Sequence, residues 1–138
     1  MPTPSLPSPP YMYRTGNPTR GAFERALAVV EHGKHAVAFA SGIAATSALI
    51  HLLQSGDHVI VVDDVYGGTQ RYFRRICAPT YNIQFTFVDF NDKAALEGAF
   101  RLETKMLWLE TPTNPTLKVR RGSERRPDDD GIAARLLY

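Results

Sequence analysis

The chain holds one cysteine, Cys77, in 138 residues. No internal disulfide can form, which excludes a disulfide-stapled scaffold and makes a reducing compartment, the cytoplasm, the expected location. A lone cysteine inside a helical pattern is expected as a small buried hydrophobe. No apolar run approaches the roughly 20 residues that cross a bilayer. The N-terminus has neither the charged start nor the apolar core of a secretory signal. Net charge is only +2, too small to argue for nucleic acid or an anionic membrane as partner. The histidines His32, His35, His51 and His58 fall at scattered, surface-like positions. No spacing among them and the acids makes a metal site or a catalytic triad.

What is present is globular in character. Hydrophobic residues make up 43% and charged residues 22%, enough apolar surface for one domain of ordinary size. Residues 1–12 are proline-rich and are expected to be disordered, because proline supports neither ladder nor helix. Residues 120–138 open with a charged block, Arg120 to Asp130, that reads as a solvated tail. The organised part is 13–119.

Gly16-Asn17-Pro18 is a turn signal, and Thr19 is placed to cap a helix from Arg20 to Glu31. Phe23, Leu27 and Val30 share a face of it, and Gly33 is the expected C-cap. The chain then alternates. Strands are predicted at Ala36–Ala40, His58–Val62, Ile83–Val88 and Lys105–Leu109, and helices at Gly42–Leu53, Thr69–Cys77 and Asp92–Phe100. This is the pattern of an α/β fold with a mainly parallel sheet. The nearly continuous apolar runs His58–Val62 and Lys105–Leu109 predict strands covered on both faces. Right-handed crossovers put the loops Ser41-Gly42, Asp63 to Thr69, Asp89 to Asp92 and Glu110 to Thr116 on one sheet edge, where ligands of such sheets bind. A sheet with an unpaired edge and an uncovered apolar face also predicts poor solubility or partial molten character for the isolated chain.

Three of these loops carry candidate chemistry. Ser41-Gly42 joins a strand to a helix. Ser41 can cap it, Gly42 admits close approach, and the helix N-terminus attracts an anion; taken alone, the turn suits either a phosphate or simple capping. Asp63-Asp64-Val65-Tyr66-Gly67-Gly68-Thr69 reads as a strand-end turn, or as a loop that lays Tyr66 across a flat ring. The two carboxylates lack the further ligands a metal needs. Glu110-Thr111-Pro112-Thr113-Asn114-Pro115-Thr116 is stiffened by its prolines and holds Glu110 and Asn114 in fixed places.

In order, Tyr-Arg-Thr-Gly-Asn-Pro-Thr-Arg (13–20), Phe-Ala-Ser-Gly-Ile-Ala-Ala-Thr (39–46), Asp-Asp-Val-Tyr-Gly-Gly-Thr (63–69), Arg-Tyr-Phe-Arg (71–74) and Glu-Thr-Pro-Thr-Asn-Pro-Thr (110–116) resemble the Cys/Met-metabolism enzymes dependent on pyridoxal 5′-phosphate. Within that family the motifs look most like the eukaryotic-type cystathionine γ-lyases. The resemblance implies the three-layer, mainly parallel sheet of the large domain of fold type I pyridoxal-phosphate transferases, over roughly its first half. It implies that Gly42 and Ile43 give backbone amides to the cofactor phosphate and that Arg14 reaches the phosphate of a neighbouring subunit. Tyr66 would stack on the pyridine ring and serve in catalysis. Asn114 would lie near the ring hydroxyl and Glu110 beside the substrate. It further implies a homotetramer, and cleavage of cystathionine to cysteine, 2-oxobutanoate and ammonia; cystathionine γ-synthase, cystathionine β-lyase and methionine γ-lyase share most of the motifs.

Three positions depart from the family pattern. Met12 stands where the family has a tyrosine. Arg120 onward bears no likeness to the strand that carries the aspartate for the pyridine nitrogen. The lysines Lys34, Lys93, Lys105 and Lys118 all lack the context of the lysine that binds the cofactor covalently. The expectation is therefore an inactive piece of such an enzyme, or a non-catalytic chain that associates with full-length subunits.

Overall fold

The computed structural model describes residues 16–119. The proline-rich start, Arg14, Met12 and the charged tail lie outside the described residues. The chain divides into two compact units, one ending at Ala40 and the next beginning at Ser41.

The first unit is built on α1 (Pro18–Val30). Its cap is Asn17 rather than the expected Thr19: the Asn17 side chain accepts the Arg20 N–H at 3.0 Å. Pro18 explains the shift, since proline fits the first helical position and puts the cap on the residue before it. The C-terminus also differs. His32 takes the left-handed conformation, φ 53°. Its N–H bonds to Val29 O at 3.2 Å, and the Gly33 N–H bonds to Ala28 O at 2.8 Å. These two bonds form a Schellman motif with Gly33 one position later than foreseen. Phe23 is 57% exposed and Val30 is exposed, so the apolar stripe is largely open; Ala28 is buried. The predicted strand at 36–40 does not form: among the described residues this segment has no regular structure and joins no sheet. Glu24 accepts the Ala38 N–H at 2.9 Å in place of a ladder bond.

The second unit opens with α2 (Gly42–Ile50), capped by Ser41, whose Oγ accepts the Ala44 N–H at 3.1 Å. The helix ends earlier than Leu53 because its last turn tightens: Leu52 N–H bonds to Leu49 O and Leu53 N–H to Ile50 O. Gly56 then turns with φ 95°, open to glycine without strain.

β1 (His58–Val62), β2 (Gln84–Val88) and β3 (Thr104–Trp108) form a three-stranded parallel sheet in the order β2-β1-β3. β1 is central and buried at every residue, as its apolar run predicts. β3 alternates instead. Met106 and Trp108 are buried while Leu107 is 45% exposed, so only one face of this edge strand is covered.

Between β1 and β2 runs α3 (Gly67–Tyr72), a π turn (Phe73–Cys77) and α4 (Ala78–Tyr81). The Ala78 N–H reaches back to Phe73 O, five residues earlier. Pro79 accounts for the loosened turn: its ring would clash with the carbonyl four residues before it, and it has no N–H to donate. Phe73 and Cys77 point inward from this turn and are fully buried, whereas Ile76 is exposed. The Phe73 ring stacks on Phe85, centroids 4.7 Å apart, and meets the Trp108 ring edge-on at 5.1 Å. Burial pushes the Cys77 thiol above its ordinary range. α5 (Lys93–Gly98), capped by Asp92 on the Ala95 N–H, leads into β3.

His58 is a correction to the surface reading of the histidines: it is fully buried. Nδ1 lies 2.8 Å from Thr104 Oγ1 on β3, and Nε2 lies 2.8 Å from Thr86 Oγ1 on β2. The imidazole thus spans all three strands. No helix among the described residues is long and apolar enough to cross a membrane.

Candidate functional site

Three loops leave the carboxyl ends of β1, β2 and β3, and side chains lace them together. Lys118 Nζ donates to Asp63 Oδ2 at 2.9 Å and to Asp89 Oδ2 at 3.0 Å. One ammonium therefore joins the loops that follow all three strands. Asp64 Oδ2 accepts the Thr113 hydroxyl at 2.6 Å, the Thr116 N–H at 3.0 Å and the Thr116 hydroxyl. Those threonine hydroxyls hold the Asp64 carboxyl below its usual range. The Asn91 N–H and then Lys118 lower Asp89 in the same way. Lys118 is raised above the ordinary lysine value, first by Asp63 and then by Asp89. The acid pair is thus more than a strand-end turn: it anchors the loop from Glu110 to Lys118. Among the described residues no group of three histidine, cysteine or acidic side chains is placed to hold a metal ion.

Tyr66 sits between β1 and α3. Its backbone is extended, φ −47° and ψ 132°, and its carbonyl accepts the Gln70 N–H at 2.9 Å. Its ring is 46% exposed and folds over Gly68. A Cβ on Gly68 would stand 2.5 Å from Tyr66 Cε1, so only glycine accepts the ring in this place. Glu110, one residue past β3 and its neighbour Leu109, is only 8% exposed. Its Oε2 accepts the Tyr66 N–H at 2.9 Å, and its Oε1 accepts the Trp108 indole N–H at 3.3 Å. Asn114 is exposed in the same loop, between the cis bonds Thr111–Pro112 and Asn114–Pro115. The structure thus brings Tyr66, Glu110 and the Asn114 loop together.

Gly42 and Ile43 occupy the first turn of α2, where backbone N–H groups have no acceptor within the helix. Ser41 Oγ serves Ala44, and among the described residues the two preceding amides have no acceptor. At the other end of the helix, the His51 ring meets Tyr81 at 6.1 Å, close to the start of β2. Midway, Ser47 accepts the Tyr72 hydroxyl at 3.1 Å. The helix therefore runs back along the sheet, with Ser41 and Gly42 at its carboxyl-edge end. Two available amides at a small-residue turn suit an anionic group such as a phosphate. The Tyr66 ring over Gly68 suits a flat ring. The donor set present here fits a phosphorylated aromatic cofactor.

The sequence model for Cys/Met metabolism PLP-dependent enzymes matches residues 6–121. The chain belongs to this family. Its members depend on pyridoxal 5′-phosphate. Cystathionine gamma-lyase of Dictyostelium discoideum is 50% identical over 119 residues, which are 86% of this chain and 30% of that protein. Cystathionine beta-lyase of Coxiella burnetii is 51% identical over 106 residues, 77% of this chain and 27% of that protein. The crystal structure of cystathionine gamma-lyase from Lactobacillus plantarum complexed with L-serine matches with a TM-score of 0.75 at 45% identity, covering 86% of this chain and 31% of the other. The chain spans under a third of the length of the curated relatives it matches.

The family motifs hold two further residues that the sequence reading passed over, Thr113 and Thr116, which hold Asp64. Gly68 makes room for the Tyr66 ring. Trp108 and Lys118, beside the motifs, complete the framework. The available signal was topological: a lysine on the loop after β3 faces acids on the loops after β1 and β2, because all three loops share one edge.

Proposed function

We propose that the chain is the part of a cystathionine-cleaving enzyme that receives the ring and phosphate of pyridoxal 5′-phosphate. Two observations support this reading: the relatives named for cystathionine cleavage are about half identical to the chain, and the exposed Tyr66 ring is fixed at the carboxyl edge. The second of these carries the proposal, because a flat aromatic face held at a sheet edge is what a planar cofactor needs.

The roles then follow from each residue's chemistry. The Gly42 and Ile43 N–H groups hold the phosphate at the start of α2. Arg14 adds a two-pronged charge to the phosphate of a neighbouring subunit in a homotetramer. Tyr66 covers one ring face, keeps water from it, and passes a proton through its hydroxyl. The Asn114 amide orients the ring hydroxyl. Glu110 holds the turn that carries the Tyr66 ring. When bound, the cofactor supplies an electron sink next to the substrate amine. The net reaction takes cystathionine and water to cysteine, 2-oxobutanoate and ammonia, in the cytoplasm. The 138 residues alone do not perform it. The ammonium of Lys118 is committed to two carboxylates, and Lys34, Lys93 and Lys105 lack the sequence context of the lysine that binds the cofactor covalently.

A chimera tests the proposal. Residues 16–119 replace the matching stretch of the Dictyostelium discoideum enzyme, and release of 2-oxobutanoate from cystathionine is measured. Comparable release is expected, with a loss of at least about tenfold in Tyr66→Phe, the low end of what a proton-transfer group contributes. Pyruvate as the main product would replace γ-cleavage by β-cleavage. A folded, cofactor-loaded chimera that cleaves neither way overturns the reading.

A further inference from the structure

Glu110 faces inward, not toward the open edge. It is 8% exposed, and each of its oxygens meets one donor: Oε2 the Tyr66 N–H at 2.9 Å, Oε1 the Trp108 indole N–H at 3.3 Å. An ionised carboxylate only accepts, so it matches two converging donors; an amide would turn its own NH₂ toward one of them. Trp108 in turn is seated in the core, 4% exposed and edge-on to Phe73 at 5.1 Å. The Phe73 ring is itself stacked on Phe85 of β2. A chain of contacts therefore runs from the middle of the sheet through Trp108 and Glu110 to the backbone of Tyr66. On the other side, the Tyr66 ring rests on Gly68 at a distance that excludes any side chain there.

We propose that Glu110 is a positioning residue for Tyr66, not a substrate contact: it fixes the backbone that carries the ring, and Gly68 fixes where the ring lies. The value of this position rests on the reading that Tyr66 covers the cofactor. The clamp itself does not, and can be tested without cofactor. Tyr66 has no side-chain cap of its own and begins α3 from an extended backbone. Its N–H points out of the helix with no intrahelical acceptor. Without the Glu110 carboxylate the part-buried Tyr66 N–H and the buried Trp108 indole N–H both lose their partner, and the turn is free to swing.

The test uses the full chain and nuclear magnetic resonance. In the wild type, the α-proton of Gly68 that a Cβ would replace lies against the Tyr66 ring, and its signal is displaced by the ring current; Tyr66→Ala removes the displacement and calibrates it. Glu110→Leu keeps the volume and removes both acceptors. The expected result is loss of the Gly68 displacement and of the hydrogen-bonded shift of the Tyr66 amide, while the methyl signals of Val59 and Val61 in β1 stay in place. An unchanged Gly68 displacement overturns the proposal, as does one that disappears only together with the Val59 and Val61 signals. If Glu110→Leu fails to fold, Glu110→Gln decides. It retains one acceptor, so a reduced displacement with an intact core is expected, and an undiminished one overturns the proposal. Inactivity of the Tyr66→Ala chimera is a separate matter. Should Tyr66 prove irrelevant to the cofactor, the function proposed above fails while the clamp stands.

Discussion

Lys118 Nζ lies 2.9 Å from Asp63 Oδ2, across 55 residues of sequence. With Asp89 at 3.0 Å on its other side, the ammonium is enclosed by charge of the opposite sign. Both acids favour its protonated form, which is not a nucleophile. The chain mixed with pyridoxal 5′-phosphate at pH 7 and reduced with borohydride is therefore expected to give no stoichiometric adduct at Lys118. Peptide mapping checks this; one fully labelled Lys118 would contradict it. Because the three groups are about a third exposed, Lys118→Met is expected to leave the urea midpoint almost unchanged. Its larger effect is faster amide exchange at Thr113 and Lys118.

His58 gives the fold an acid limit. Burial, and then the Arg101 charge, lower its pKa below the ordinary 6.5, with Glu103 opposing weakly. The unfolded chain takes up a proton near that value while the folded chain still refuses it, so stability falls with pH there. Urea midpoints are expected to drop from about pH 6.5 downward, until the folded imidazole is itself protonated. Asp64 and Asp89 add a second drop below the ordinary 3.8, as their stabilised carboxylates protonate. In His58→Gln the first drop should vanish and the second remain. A flat midpoint between pH 7 and 5 in the wild type would refute the assignment.

Phe73 is fully buried and contacts the rings of Phe85 and Trp108. Phe73→Ala is expected to lose about 3–5 kcal/mol, read as a shift in the urea midpoint. The emission of Trp108, the one tryptophan in the chain, should move to the red with it.

Gly68→Ala brings a methyl to 2.5 Å from the Tyr66 ring. The ring can rotate away, so stability should change by less than about 1 kcal/mol, as for a surface substitution. Cystathionine cleavage by the chimera should fall at least about tenfold if the ring position matters, as a misplaced group costs rate more than stability. Unchanged cleavage would show that the ring has latitude.

How far these features were legible depends on range. β1 was readable because a central strand buries both faces, which a continuous apolar run from Val59 to Val62 states directly. The same kind of run misled at β3: Leu107 is as apolar as Met106, yet exposed, and a sequence does not say which face of a strand is covered. At α1 the local chemistry of Pro18 should have moved the cap from Thr19 to Asn17. His58 read as surface because it is polar; Thr86 and Thr104, which satisfy it, lie 28 and 46 residues away. Tyr66 and Glu110 were both recognised by motif, but the bond between them spans 44 residues, and no local pattern encodes it.

The carboxyl-edge lacing also sets an order of assembly. The links Tyr66–Glu110, Asp64–Thr113 and Asp63–Lys118 close loops of 44, 49 and 55 residues. Each must meet the entropy of closing a long loop before its bonds form. On a ribosome, α3 and the β1–β2 pair can form once residue 88 has emerged, whereas the Tyr66 turn stays untied until residues 110–118 follow. The aromatic face proposed to take the cofactor is thus set in place by the loop after β3, not by the loop that carries it.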